Sequence, residues 1–300
     1  MRLFAPLILP ALIAALLAGC ATAPVEPTAP VQPPATPVAK VPPRIGLALG
    51  GGAARGFAHV GVIQVLEEAG IRPNLVAGTS AGSLVAAIYA SGKNGAQLQQ
   101  VAETMEEAAI ADWSLQIFTR GALRGEALAR YVNSQVNSRL IENMPLPLGI
   151  VATDLNSGAD MLFQRGDTGT AVRASSSVPA VFQPVRISGR DYVDGGLVSP
   201  VPVRAARKMG ADLVIAVDIS SPPEGSAASG TLDILLQTFT IMGKSINTFE
   251  LKDADVVVRP ALLGVSSADF SARKRSIEAG RQAMLQALPQ LKSAIAAKTR

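Results

Sequence analysis

The stretch Gly78-Thr79-Ser80-Ala81-Gly82 decides the fold, because a strand pattern ends and a helix pattern begins within it. The apolar run Leu75-Val76-Ala77 leads into it. From Ala81 onward, apolar residues recur at the i, i+3, i+4, i+7 spacing of one helix face, at Ala81, Leu84, Val85 and Ile88. The sequence therefore predicts a strand, a tight turn at Ser80, and a helix.

The turn has the spacing of a G-x-S-x-G nucleophile elbow. Gly78 and Gly82 have no Cβ atoms to clash in a sharp bend, and such a bend would lift the Ser80 hydroxyl clear of the main chain. A serine held in this way at the end of a strand is typical of a catalytic nucleophile. Since five-residue patterns also arise by chance, a loop of small residues without chemistry is the alternative.

The composition favours a close-packed α/β domain. Of 300 residues, 48% are hydrophobic and only 4% are aromatic, so small aliphatic residues must fill the core. The net charge of +4 is modest, and basic residues do not interleave with aromatic ones, so we predict no nucleic-acid partner. One cysteine excludes an intramolecular disulfide, and one histidine argues against a His-rich metal site.

The first 19 residues have the pattern of a signal peptide, with Arg2 followed by the apolar run Leu3–Leu17. The next motif, Leu17-Ala18-Gly19-Cys20, resembles the lipobox of bacterial lipoproteins, in which the cysteine is lipidated after cleavage. Cys20 is the sole cysteine and our predicted membrane anchor. By the same resemblance, Ala21 favours the outer membrane, facing the periplasm. An ordinary secretory signal with an incidental cysteine is the alternative.

Residues 20–44 are predicted to form a linker behind this anchor. The segment from residue 21 holds eight prolines among Ala, Thr and Val, a composition that cannot build a core. At about 3.1 Å per residue it can hold a domain up to roughly 70 Å from the membrane.

Residues 45–300 are predicted to form a three-layer α/β/α domain with a mostly parallel central sheet, because strand and helix patterns alternate. The predicted strands are 45–49, 75–77, 148–153, 161–164, 185–187, 192–193, 213–217 and 256–258. The predicted helices are one between Gly56 and Gly70, then 81–91, a helix-rich region over 94–145, and 168–177, 202–209, 231–250 and 271–297. Pro289 is expected to break or kink the last helix.

Gly50, Gly51 and Gly52 follow the first strand directly. Without side chains, their N–H groups can converge on one point and stabilise an oxyanion. A P-loop would need Lys and Ser or Thr after Gly56, where Phe57 and Ala58 stand. A dinucleotide site is also excluded, since it would need glycine at the position of Arg55.

The base for Ser80 has two candidates. His59 is the sole histidine and falls in the first turn of a helix, so we interpret it as a packing or loop-positioning residue. Asp194, in Tyr192-Val193-Asp194-Gly195-Gly196, follows an apolar approach and is expected at a carboxyl edge of the sheet. A plain turn aspartate is the alternative for Asp194.

Three motifs in this order resemble the patatin-like phospholipases, and the bacterial subgroup related to neuropathy target esterase in particular: Gly50–Gly56, Gly78–Gly82 and Asp194-Gly195-Gly196. Val151–Leu155 and Ala174–Pro179 extend the resemblance.

The resemblance implies a Ser-Asp dyad of Ser80 and Asp194 that hydrolyses acyl esters of membrane phospholipids or lysophospholipids through an acyl-serine. It implies an oxyanion hole from the glycine loop with Arg55 beside it, and neither a metal nor an organic cofactor. An acyltransferase and a non-catalytic lipoprotein scaffold are the alternatives.

Two features stay open. Four apolar residues are candidates for an acyl-chain wall or lid, with core packing as the alternative: Trp113, Leu115, Ile117 and Phe118. The sequence does not predict an oligomeric state.

Overall fold

Eight strands form a single mixed sheet in the computed structural model, which describes residues 40–105, 123–220, 230–266 and 268–300. The strands are β1 (Ile45–Leu49), β2 (Leu75–Thr79), β3 (Leu148–Asp154), β4 (Asp160–Phe163), β5 (Val185–Ile187), β6 (Arg190–Asp194), β7 (Leu213–Val217) and β8 (Val256–Val258). The helices are α1 (Ala58–Glu68), α2 (Ala81–Ala90), α3 (Gly95–Thr104), α4 (Glu126–Gln135), α5 (Thr168–Ser175), α6 (Val203–Lys208), α7 (Thr231–Glu250) and α8 (Arg273–Lys298).

The strand order is β5-β6-β3-β2-β1-β7-β8, with β4 also paired to β3. The five strands from β3 to β8 in this order run parallel. By contrast, β4 and β6 are antiparallel to β3, and β5 is antiparallel to β6. The turn Ser188-Gly189, with both φ angles positive, joins β5 to β6, and a two-residue turn can connect only antiparallel strands. The predicted α/β fold is confirmed, with a sheet that is mixed at one side.

Helices cover both faces of the sheet, as the three-layer prediction requires. Alternate residues of β1 face opposite layers, because successive side chains of a strand point to opposite sides. Leu47 and Leu49 pack in a cluster with residues of α1, α2 and α8. Ala48 packs in a second cluster with residues of α6. All five residues of β1 and of β2 are buried, so both are central strands.

Helix α8 does not end at Pro289, so the predicted break there is wrong. The helix continues to Lys298, and Met284 and Leu291 on either side of the proline are fully buried. Tertiary packing on both sides of Pro289 therefore outweighs the backbone hydrogen bond that a proline removes.

The compact unit that holds the sheet spans Lys40–Arg300. Val41 and Arg300 exchange two backbone hydrogen bonds of 2.7 and 3.0 Å, so the folded part begins slightly before residue 45. Cys20 and most of the predicted linker lie outside the described residues, as does the predicted lid of residues 113–118. Among the helices described, none combines the length and the apolar character needed to cross a bilayer.

Candidate active site

Ser80 lies between β2 and α2 with φ 51° and ψ −124°, a backbone conformation that a non-glycine residue rarely adopts. Hydrogen bonds to both its backbone N–H and its carbonyl hold it there. Its N–H donates to Ser175 Oγ at 2.8 Å. Its carbonyl accepts from the N–H and the Oγ of Ser83, at 2.8 and 2.6 Å. Ser175 Oγ in turn donates to the Val151 carbonyl of β3, so the strained turn is fixed to the neighbouring strand.

The glycines on either side of Ser80 are required by close backbone contacts. A Cβ atom at Gly82 would lie 2.1 Å from the Leu49 carbonyl oxygen. A Cβ atom at Gly78 would lie 2.5 Å from the Gly82 carbonyl oxygen. The bend predicted at Ser80 is therefore present, and larger residues at positions 78 and 82 would collide with the main chain.

Asp194 reaches Ser80 through the register of the sheet. Thr79 pairs with Val151, and the next residue of β3, Ala152, pairs with Asp194. Asp194 thus lies at the level of Ser80, on the far side of β3. Because β6 runs antiparallel to β3, it begins near the carboxyl end of β3 and runs back along that strand to Asp194. The expectation that β6 itself ends at the carboxyl edge of the sheet is therefore wrong.

The Asp194 carboxyl is buried, and its two oxygens differ. Oδ1 accepts the Gly196 N–H at 2.7 Å. Oδ2 is also buried, and no contact to it has hydrogen-bond geometry among the described residues. Burial raises the pKa of Asp194 to about 6, although the adjacent Ser80 hydroxyl and the Gly196 N–H both act to lower it. The carboxylate therefore has one oxygen held and one available beside the serine.

The glycine loop differs from the prediction. The Gly50 N–H donates to the Val217 carbonyl at 3.1 Å, and the Gly51 N–H donates to the Pro200 carbonyl at 2.9 Å. Both amides are engaged within the fold, contrary to the expectation that they stabilise an oxyanion. Gly51 instead allows the loop to approach the serine, since a Cβ atom there would lie 3.1 Å from Ser80 Cβ.

Other amides near Ser80 have no such acceptor. The Gly52 N–H makes no backbone or side-chain hydrogen bond within the described residues. Ala53 and Ala81 each begin a helix, where the first N–H groups have no intrahelical partner. Both line the same cavity as Ser80. The N–H groups of Gly52, Ala53 and Ala81 are therefore available as donors in the described part of the chain.

Arg55 is buried and acts on the backbone of this loop. Its N–H and its Nε both donate to the Gly52 carbonyl, at 3.2 and 3.3 Å. In a trans peptide the carbonyl and the following N–H point in opposite directions. Arg55 therefore fixes the direction of the Ala53 N–H. Burial lowers the pKa of Arg55, and the nearby Asp218 opposes this.

His59 is fully buried, and its Nε2 lies 2.8 Å from the Gly50 carbonyl oxygen. A carbonyl can only accept, so Nε2 carries the proton and Nδ1 does not. Nδ1 has no hydrogen-bond partner in the described part of the chain, and burial lowers the pKa of His59 to about 4. The imidazole is therefore neutral at pH 7 and positions the glycine loop, as its place in the sequence suggested.

A cavity of about 290 Å³ lies beside Ser80, and its lining is almost entirely apolar. Helix α2 supplies Leu84, Val85 and Ile88, and helix α3 supplies Leu98 and Val101. An apolar cavity with the Ser80 hydroxyl at its wall suits a hydrocarbon chain whose reacting group is held at that hydroxyl. Within the described ranges, no three His, Cys, Asp or Glu side chains are grouped closely enough to hold a metal ion.

Residues 47–207, more than half of the chain, match the patatin-like phospholipase family. The chain belongs to this family. Patatin-like phospholipases are lipid-hydrolysing enzymes, so the predicted membership of an enzyme family is confirmed.

Two relatives of this patatin-like protein are longer than the region that matches it. An uncharacterized NTE family protein of Mycobacterium tuberculosis is 35% identical over 203 residues, which cover 68% of this chain and 56% of the relative. Human patatin-like phospholipase domain-containing protein 6 is 32% identical over 229 residues, which cover 74% of this chain and 16% of the relative. The match thus spans about half, or less, of these relatives' length.

A solved structure shares the patatin-like fold. The crystal structure of VipD from Legionella pneumophila superposes with a TM-score of 0.57 at 16% sequence identity, covering 83% of this chain and 67% of VipD. At this level of identity the likeness concerns the fold alone.

Sequence reasoning missed several residues that shape the patatin-like site. Ser175 belongs to a motif that carried the family resemblance, but its bond to the Ser80 N–H connects residues 95 positions apart and has no local signal. The free amide of Ala81 could have been anticipated, since the residue after an elbow serine commonly contributes to an oxyanion hole.

Proposed function

We propose that this protein is a serine esterase that hydrolyses acyl esters of phospholipids or lysophospholipids, with Ser80 as nucleophile and Asp194 as general base. One observation carries the proposal: the buried Asp194 carboxyl interacts with the hydroxyl of the elbow serine in the wall of an apolar cavity, while its Oδ2 has no partner of standard hydrogen-bond geometry among the described residues. A buried, unsatisfied acceptor costs stability, so its retention beside a hydroxyl is consistent with a chemical role.

Acylation begins when Ser80 Oγ attacks the ester carbonyl while Asp194 Oδ2 takes the hydroxyl proton. The carbonyl oxygen becomes an oxyanion, and the N–H groups of Gly52, Ala53 and Ala81 are the donors within the site that can stabilise it. Removal of one such donor typically lowers the rate by about 10²–10³-fold. As the tetrahedral intermediate collapses, the ester bond to the alcohol breaks and Asp194 returns its proton to the leaving oxygen.

Deacylation uses the same groups in reverse. Asp194 takes a proton from water, the resulting hydroxide attacks the acyl-serine carbonyl, and the same amides stabilise the second oxyanion. Collapse breaks the bond to Ser80 Oγ, which recovers its proton from Asp194. The products are a fatty acid and the lysolipid or glycerol-phosphate alcohol, and the enzyme is unchanged.

The raised pKa of Asp194 suits this role. A carboxylate with an ordinary pKa is a weak base for a serine hydroxyl, whereas one with a pKa of about 6 is a stronger base and is still mostly ionised at pH 7. Burial thus favours proton transfer without leaving the base protonated at neutral pH.

The test is fatty-acid release from phospholipid and lysophospholipid, measured by mass spectrometry. Ser80→Ala and, separately, Asp194→Asn should lower turnover by about 10³-fold or more while the thermal unfolding transition remains cooperative. Ser91→Ala is a matched control, because it removes only a hydroxyl that donates to the Ile88 carbonyl at the end of α2. Full activity in either site variant would contradict the dyad. Transfer of the acyl group to an added alcohol, without release of fatty acid, would reassign the protein as an acyltransferase.

We further propose that Cys20 is lipidated and anchors the protein in the outer membrane, facing the periplasm. Support comes from the lipobox-like residues before this sole cysteine. Growth with radiolabelled palmitate should label the wild-type chain in the outer-membrane fraction and leave the Cys20→Ser variant unlabelled. A labelled Cys20→Ser chain would contradict the anchor.

A further inference from the structure

Helix α7 is poorly covered by the rest of the domain. Its buried residues are Asn247 and Glu250, both in its last turns. Gly243 faces the ring of Pro200, whose carbonyl accepts the Gly51 N–H of the glycine loop. The part of α7 before Gly243, about 18 Å at 1.5 Å per residue, has no buried residue and begins beyond the end of β7.

An exposed apolar surface runs along this helix, which we call the α7 face. At 100° per residue its members fall within an arc of about 120°: Ile234, Leu235, Thr238, Ile241, Met242 and Phe249. The apolar members are between 41% and 68% exposed. The charged residues Asp233 and Lys244 fall on the opposite side of the helix. Contiguous exposed apolar residues of this kind mark an interaction surface.

The α7 face is chemically suited to a lipid phase. Two exposed hydroxyl residues, Thr238 and Ser245, fall within the arc, and Thr238 donates its hydroxyl to the Ile234 carbonyl of the same helix at 2.8 Å. The Thr238 hydroxyl therefore needs no water or protein partner when the face is buried in hydrocarbon. The helix is too weakly apolar to cross a bilayer, but a helix with one uncharged face can lie in the plane of the interface.

Cationic side chains surround the lower end of the α7 face. Lys252 Nζ lies 5.2 Å from the centroid of the exposed Phe249 ring. Lys244, Lys252 and Arg259 all line a cavity of about 610 Å³ at the foot of the helix, and all three are exposed. Asp218 is the one acidic residue in that lining and pairs with Arg259 at 3.3 Å. The rim is therefore net positive and complementary to an anionic headgroup.

The same cavity contains an unsatisfied polar group. Asn247 is 4% exposed and lines the cavity, and neither its Nδ2 nor its Oδ1 has a hydrogen-bond partner in the described part of the chain. A buried amide without protein partners is uncommon, so both its donor and its acceptor are able to bind a polar ligand group. A headgroup that carries both phosphate and hydroxyl groups could satisfy both the donor and the acceptor.

We infer that the α7 face and its basic rim dock the domain onto the surface of a bilayer that contains anionic phospholipid. Apolar side chains would enter the acyl boundary while Lys252 and Arg259 meet the phosphates. The inference rests on the proposed function in one respect. If the protein is an esterase, docking on a bilayer means that it takes its substrate from assembled lipid rather than from dispersed lipid.

The test measures co-sedimentation with vesicles of phosphatidylcholine alone and of phosphatidylcholine mixed with phosphatidylglycerol. The protein is the chain of residues 40–300, which carries the complete sheet and its core, with Ser80→Ala to prevent turnover. The perturbed chain carries Ile241→Asp and Met242→Asp. The matched control is Leu285→Asp on α8, because Leu285 is 43% exposed and Met242 is 45% exposed. Thermal unfolding checks each fold, and Ile241→Gln with Met242→Gln replaces the double aspartate if that chain does not fold.

The α7 double variant should lose about tenfold or more in partitioning to mixed vesicles, and Leu285→Asp should remain within about twofold of the parent. Lys252→Gln should weaken binding to mixed vesicles about fivefold and leave binding to phosphatidylcholine unchanged. Unchanged partitioning of the α7 variant would overturn the inference. A parent chain that binds no vesicles and forms a dimer, together with an α7 variant that is a monomer, would also overturn it. That result would assign the α7 face to contact between two copies of the chain. Vesicle binding by the Ser80→Ala chain requires no turnover, so a wild-type chain that hydrolyses no ester would refute the proposed function and leave docking intact.

Discussion

Replacement of Asp194 by Asn should abolish turnover and make the fold more stable above pH 6. Burial raises the pKa of Asp194 from 3.8 to about 6, which means that the folded chain holds this proton more tightly than the unfolded chain does. Since the folded pKa is the higher one, the ionised carboxylate destabilises the fold above pH 6, and the effect disappears as the pH falls below about 4. Asn has nearly the same shape and no charge, and its Oδ1 can still accept the Gly196 N–H.

The expected size follows from the two pKa values. At about 1.4 kcal/mol per pH unit, a rise from 3.8 to about 6 corresponds to about 3 kcal/mol in the free energy of unfolding at pH 8. For a domain of this size that amounts to roughly 6–12 °C in the melting temperature. At pH 4 the gain should be under about 1 kcal/mol, because both side chains are then neutral in the fold.

The assay is urea unfolding of wild type and Asp194→Asn at a series of pH values between 4 and 8, followed by circular dichroism. Ser80→Ala is the matched control, since it also removes turnover but keeps the carboxylate. Burial lowers the pKa of His59 to about 4, so loss of its neutral form destabilises both chains as the pH falls below 6.5 and cancels in the difference. An equal gain at pH 4 and pH 8, or a loss of stability at pH 8, would refute the reasoning.

Three further predictions concern the same site. The ratio kcat/KM should rise about tenfold per pH unit below pH 6 and level off above it, as Asp194 ionises; a flat profile from pH 4 to 8 would exclude this base. His59→Ala should keep at least about a tenth of the activity. As the pH is lowered from 6.5 to 4, this variant should lose less unfolding free energy than wild type does. Complete inactivation of a folded His59→Ala chain would favour a Ser-His mechanism instead. Ser175→Ala should lower the unfolding free energy by about 1–3 kcal/mol and also lower kcat, because the Ser80 N–H loses its acceptor. Its control, Ser177→Ala, removes a hydroxyl that donates to the Arg173 carbonyl and should affect stability without affecting kcat.

Local features of the sequence were sufficient to predict the strands and the elbow. The apolar runs that became β1 and β7 are bounded by polar or glycine residues, and the bend at Ser80 needs only the two glycines beside it. Such signals depend on residues a few positions apart, so no tertiary information was needed.

Features that depend on distant partners could not be predicted. The Gly50 and Gly51 amides are engaged by the carbonyls of Val217 and Pro200, more than 145 residues away in the chain. The direction of β6, and so the approach of Asp194, depends on its pairing with β3. In these cases the local sequence permits several outcomes, and long-range pairing selects one.

The two backbone bonds between Val41 and Arg300 have a practical consequence for engineering. Because the ends of the compact unit already touch, a short peptide could join them at little entropic cost. New termini could then be opened in the exposed turn around Gly158, between β3 and β4, to give a circular permutant. A fluorescent reporter fused after Arg300 in the original chain would emerge beside Val41, at the start of the compact unit.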